Sequence, residues 1–240
     1  MGLKLKHVLL LLVLVLALAS LSFAGSYGDL ETASGWFSCT AILNGHPCAS
    51  GLGNATYSKG ISGDPSLDGF SGIFTIGGPV RYSNALWWKP LPAVPSAMHF
   101  VYDVYFYVKN PNVVQALEFD VNQSHGTNWF VFGTECNYKD SHMWDVWDTG
   151  RETWIPTAVP CPVVQAYTWH HLQWEFARLP NNTVQYVAVT LDGHKSYVNR
   201  VYGPPRAGNG DSLNVAFQMD GDYRQDSYSV WLDKLTLDYW

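Results

Sequence analysis

The sequence predicts an all-β protein, a sandwich of two antiparallel sheets, and three observations carry that expectation. Short runs alternating apolar and polar side chains dominate everything after the first two dozen residues, each bounded by Gly, Pro, Asn or Asp. No later stretch keeps the apolar spacing of an amphipathic helix over a helix's length. Turn chemistry fills the gaps: Asp192-Gly193 joins two alternating runs, and Asn181-Asn182 follows Pro180.

The elements follow in chain order. Lys4, Lys6 and His7 precede the apolar run VLLLLVLVLALA (8–19), and Ser22-Phe23-Ala24 supplies small residues where a signal peptidase reads. The run is shorter than the ~18 residues of a spanning helix. Residues 1–24 therefore read as a cleaved secretory signal, which sends the protein to the extracellular space or periplasm. Residues 25–68, rich in Gly, Ser, Asn and Ala, are expected to form an irregular disulfide-containing arm lying against the sandwich. The sandwich domain is expected over 69–240. Its first strands are FSGIFTIGG (70–78), NALWWKPL (84–91), MHFVYDVYFYVK (98–109), ALEFDVNQ (116–123), NWFVFGTECNY (128–138) and HMWDVWD (142–148). Those that follow are TWIPTAV (153–159), TWHHLQWEFARL (168–179), TVQYVAVTLDG (183–193), HKSYVNRVY (194–202), SLNVAFQMD (212–220) and SYSVWLDKLTLDY (227–239).

Charge and cysteine narrow the function classes. The chain has 14 Lys and Arg against 20 Asp and Glu, and two of its lysines lie in the signal. A chain this acidic, its basic residues scattered, is a poor binder of nucleic acid or anionic lipid. After the signal no stretch is long and apolar enough to span a membrane. Four cysteines in an exported chain imply disulfides, with three possible pairings, of which Cys39–Cys48 with Cys136–Cys161 is the local one. Zinc is the rival, but the cysteines and histidines lack zinc-ligand spacing. The 11 Trp, 14 Tyr and 11 Phe exceed what a core of this size needs, so some are expected to be displayed for binding.

The segment WHHLQWEFARLPNNTVQYVAVTLDGHKSYV (169–198) resembles the laminin G-like pattern, in which W-H-H opens a strand and a later D-G closes a hairpin. The closing SVWLDKLTLDYW resembles the last strand of carbohydrate-binding sandwiches. Together these resemblances imply a concanavalin A-like jelly roll with ligands on one curved sheet. The chain also resembles secreted proteins of soil bacteria that share its LWW, ALEFDVNQ and VWLDK blocks, which implies no activity.

Alternation selects the polar rows. Glu118, Asp120 and Asn122 share one side of ALEFDVNQ; His171, Gln173 and Glu175 share one side of their strand; Asn214, Gln218 and Asp220 share one side of theirs. Carboxylates and amides bond sugar hydroxyls, and indoles stack on pyranose rings. Trp87, Trp88, Trp129, Trp144, Trp147 and Trp154 are the candidate platforms. The competing view of any such row is an ordinary wet sheet face. Laminarinase-like glucanases of the resembled superfamily carry E-x-D-x-x-E on one strand. Here Glu118 and Asp120 fill the first two positions, but Gln123 stands at the third. Glu175 replaces the missing acid only if its row faces that of Glu118. Asp220, Asp222 and Asp226 form a weak calcium candidate, and no other cofactor is expected. The leading expectation is a lectin-like binder of a polysaccharide or glycan. A glycan-active hydrolase or lyase using Glu118, Asp120 and Glu175 comes second, and a structural or adhesive envelope protein third.

Overall fold

The computed structural model describes residues 24–43 and 45–240, so the expected signal, save Ala24, lies outside the described residues. The N-terminal strands are β1 (Gly25–Tyr27), β2 (Phe37–Cys39), β3 (Ile42–Leu43), β4 (His46–Pro47) and β5 (Thr56–Ser62). Next come β6 (Ser71–Gly77), β7 (Asn84–Leu91), β8 (His99–Val108), β9 (Val114–His125), β10 (Asn128–Phe132) and β11 (Thr134–Asn137). They are followed by β12 (Met143–Asp148), β13 (Thr153–Pro160), β14 (Trp169–Arg178) and β15 (Val184–Leu191). The last four are β16 (His194–Tyr202), β17 (Arg206–Ala207), β18 (Ser212–Gly221) and β19 (Tyr228–Tyr239).

These strands make the expected two-sheet antiparallel sandwich. The first sheet runs β16-β15-β14-β8-β19-β6-β5, with β1 added beside the end of β19. The second runs β13-β12-β11-β9-β18-β7-β2, with β10 and β17 attached beside the far half of β9. Side-chain alternation builds the core. Tyr102, Val104 and Phe106 of β8 and Leu172, Trp174 and Phe176 of β14 face Leu117, Phe119 and Val121 of β9 and Val215, Phe217 and Met219 of β18. Trp144 meets Trp174 edge-on across the layers, ring centroids 5.4 Å apart. Asp192 and Gly193 both take positive φ (51° and 80°), the conformation that lets a two-residue hairpin follow the strands' twist.

Two expectations change. The arm is more regular than its composition suggested: β1 and β5 extend the first sheet and β2 the second. β5, with Lys59 and Gly60 and mostly exposed, reads weakly as a strand because it lies at a sheet edge. The run 128–138 is two strands, since the chain breaks at Gly133 and passes from β10 to β11. Both disulfides take the local pairing, Cys39–Cys48 and Cys136–Cys161. Among the described residues no helix is long and apolar enough to cross a membrane.

Candidate functional site

The outer face of the second sheet carries a groove of about 500 Å³. Strand register sets its floor and the polar rows that continue beside the floor. Asp145, Glu135, Glu118 and Gln218 stand side by side on β12, β11, β9 and β18. One step along, Asn137, Ala116, Asp220 and Asn84 form the next row. Ala116 is the small member of that row, so Glu118, Glu135 and Asp220 lean together over it. Each of the three places a carboxylate oxygen within 4.8 Å of the others. Asp120, Asn122, Asn214 and Ala216 continue the floor, and the Asn122 amide donates to Asn214 Oδ1 at 3.2 Å.

Aromatic side chains make the walls. Trp147 and Trp154 form one side as a T-shaped pair, centroids 5.3 Å apart, with Trp129 and Val131 beyond them. Gly133 is required beneath this pair: a Cβ there would come within 3.0 Å of Trp147 Cβ and 3.4 Å of Trp154 Cη2. On the other side Trp88 stacks on Phe37, with Leu43, Cys48 and Ser50 of the arm above it. The arm thus walls the groove without covering it. Ser50 also ties the arm to the floor, accepting hydrogen bonds from Asn84 Nδ2 at 2.7 Å and Gln218 Nε2 at 3.2 Å.

The floor's electrostatics are unusual. Gln218 donates to both Glu118 and Asp220, and Asn137 donates to Glu135 at 2.7 Å and to Asp145 at 3.3 Å. The Thr134 N–H donates to Asp120 at 2.9 Å. These neutral donors do not offset the burial of so many carboxyls. Burial, with Asp220, Asp120 and Glu135 close by, holds Glu118 well above the ordinary carboxylate range. Burial likewise pushes Asp120 and Asp220 up to about 7. Glu135 rises to about 9, through burial first and then the charges of Asp220 and Asp145. Carboxyls so placed hold their protons to higher pH than free acids and, while protonated, donate as well as accept. Among the described residues, Glu118, Glu135 and Asp220 are the one His/Cys/Asp/Glu group with oxygens spaced for a metal, a hard-oxygen set of the kind calcium or magnesium takes.

The structure sorts the residues that sequence reasoning selected. Glu118, Asp120, Asn122, Gln218, Trp88, Trp129, Trp147 and Trp154 line this one groove. Trp87 and Trp144 do not: each is sunk in the core, because it sits one or three residues out of phase with the groove-facing Trp of its own strand. His171, Gln173 and Glu175 stand on the outer face of the first sheet, and the core separates them from Glu118. The two polar rows therefore face away from each other, and a Glu118/Glu175 pair cannot act on one bond. Glu175 instead pairs with Lys195 at 2.5 Å, and Asp103 bonds His171 Nε2 at 2.7 Å and Gln173 at 2.5 Å. Gln123 points inward and donates to the Val94 and Ala97 carbonyls. The Asp220, Asp222 and Asp226 set is not assembled either: Asp220 belongs to the floor, Asp222 Oδ1 accepts the Arg224 and Gln225 N–H groups, and Asp226 is exposed.

Glu135, Asn137, Asp145 and Arg206 were missed. A signal for the first three was present. Cys136 alternates with Glu135 and Asn137, and Asp145 shares the phase of Trp147. Arg206 lies in a two-residue strand that leaves no pattern to read.

No family model matches the chain, and no curated protein matches it. Several solved structures are similar to it. A conserved carbohydrate esterase of the Shiga toxin-encoding bacteriophage phi24B aligns over 90% of this chain and 99% of its own, at 15% identity and TM-score 0.51. The cellulose-induced protein Cip1 aligns over 77% and 86%, at 12% identity and TM-score 0.47. A structure of carbohydrate-binding modules from the β-sandwich superfamily aligns over 86% of this chain at 9% identity and TM-score 0.45, and this chain spans 58% of its length.

Proposed function

We propose that this protein is exported and binds a polysaccharide along the groove of the second sheet. The observation that carries the reading is the union, in one open groove, of four half-buried indoles with a floor of carboxyls and amides. Trp88, Trp129, Trp147 and Trp154 offer the apolar faces on which pyranose rings stack. Glu118, Asp120, Asn122, Asn214 and Gln218 offer donors and acceptors for hydroxyls. Two disulfides agree with an oxidising compartment. The reading invokes no cofactor.

Native electrophoresis of the oxidised protein through gels containing single soluble polysaccharides tests it. Slowed migration in one glycan, reversed by its free oligosaccharide, is expected. Unchanged migration across a broad panel defeats the reading and favours an envelope protein.

A second reading, cleavage of the bound glycan, rests on Glu118 and Asp120. They stand two residues apart on the groove floor, and burial raises both carboxyls, Asp120 to about 7 and Glu118 well above the ordinary carboxylate range. New reducing ends, or unsaturated ends if the reaction is elimination, would appear with the wild type and be lost in Glu118→Gln. Absence of both products from a glycan that binds removes this reading and leaves the first intact.

A further inference from the structure

Arg206 is the one basic side chain among the described residues lining the groove. Its strand β17 pairs with β10 so that Arg206 lies opposite Trp129. The guanidinium carbon sits 5.5 Å from the ring centroids of both Trp129 and Trp147, so two indoles fix the position of the fork. Its acidic partner is poor: Glu152 approaches to only 3.4 Å, and its own side chain is 69% exposed. Arg206 Nε and Nε1 of the adjoining Trp147 are themselves buried without a hydrogen-bond partner, while the Arg206 side chain as a whole stays 33% exposed. A clamped, partly exposed guanidinium whose acid contact is one long bond to an exposed glutamate, beside two stacking faces, is arranged for a planar anion attached to a pyranose ring.

We infer that Arg206 forms a carboxylate subsite, and that the glycan taken by this groove is a polyuronate. This rests on the groove being a glycan site. The sugar ring of a uronate would lie on Trp129 or Trp147 while its carboxylate takes the fork from Glu152. A neutral hexose offers the fork hydroxyl acceptors but neither the charge nor the bidentate geometry of a carboxylate.

The test is titration calorimetry of the full-length oxidised protein in mildly acidic buffer. The ligands are galacturonate and glucuronate oligomers, their methyl esters and neutral gluco-oligomers. The methyl ester preserves ring, linkage and length while removing the charge. At least one acid oligomer should bind about tenfold or more tighter than its ester, the scale of a charge-assisted bidentate contact. Arg206→Gln should abolish that acid-to-ester ratio. Glu152→Gln, which releases the fork, should widen it, and because Glu152 is an exposed turn residue this variant reads the subsite without risk to the fold. Equal affinity for acid and ester, or a ratio unchanged in both variants, overturns the inference while leaving glycan binding standing. No heat with any oligomer, neutral ones included, defeats the glycan reading itself.

Discussion

The two outer faces of the sandwich are written in the same code and end in different chemistry. Each is a row of acids and amides alternating with core residues, Glu118-Asp120-Asn122 on β9 and His171-Gln173-Glu175 on β14. On the first sheet the polar groups satisfy one another near solvent: Asp103 with His171 and Gln173, Glu175 with Lys195. Tyr105 stacks flat on His171, centroids 4.2 Å apart. On the second sheet, indoles on one side and the arm on the other bury the same kinds of side chain, and the acids have amide neighbours in place of cations. Charge on a sheet face is therefore shaped by what stands around it as much as by the row itself.

The largest test of this contrast is the pH dependence of stability. The floor carboxyls have folded pKa values raised above the ordinary 3.8 and 4.5, to about 7 for Asp120 and Asp220 and about 9 for Glu135. A raised acid binds its proton more tightly folded than unfolded. Its stabilisation is complete below about pH 4 and is lost as pH climbs through the folded values. The melting temperature should fall by roughly 10 °C between pH 5 and pH 9, from a loss of a few kcal/mol. A Glu135→Gln/Asp220→Asn variant should flatten the slope, whereas Asp103→Asn on the opposite face should leave it. A slope equal in all three proteins would mean the floor is not the source.

Next in size is ligand affinity. Trp129→Ala and Trp154→Ala should each weaken retention on the bound glycan about tenfold, the scale of one lost ring-stacking contact. Tyr105→Ala, an aromatic of the other face, should not alter it. Gly133→Ala tests the support beneath the wall. The new methyl would displace the Trp147–Trp154 pair, at a cost of about 1 kcal/mol in stability and a severalfold loss of affinity. Smallest is Lys195→Ala, which should leave the melting temperature unchanged within error, since exposed ion pairs contribute little.

Much of this architecture was legible in advance. β7 and β16 begin and end where alternation and turn residues put them, at 84–91 and 194–202. The same period separates Trp88 from Trp87 and Trp147 from Trp144, because residues one or three apart on a strand face opposite ways. What alternation cannot supply is sheet membership. β9 and β14 carry similar patterns, yet the crossovers send one to each layer, and that alone parts Glu118 from Glu175. The Glu118–Glu135–Asp220 convergence needs three strands in register over one alanine, a long-range fact with no local signature.

One wall of the groove is a covalent ring. Cys39 is held in β2, and its bond to Cys48 brings Cys48 and Leu43 to the rim while Ser50 reaches the floor. With Cys39–Cys48 reduced, this rim would lose the disulfide that tethers it to β2. Binding at the proposed glycan groove would then depend on oxidation of this pair, and a chain with reduced thiols would carry a half-built groove. Retention measured before and after mild reduction, with the fold monitored by circular dichroism, would read that latency directly.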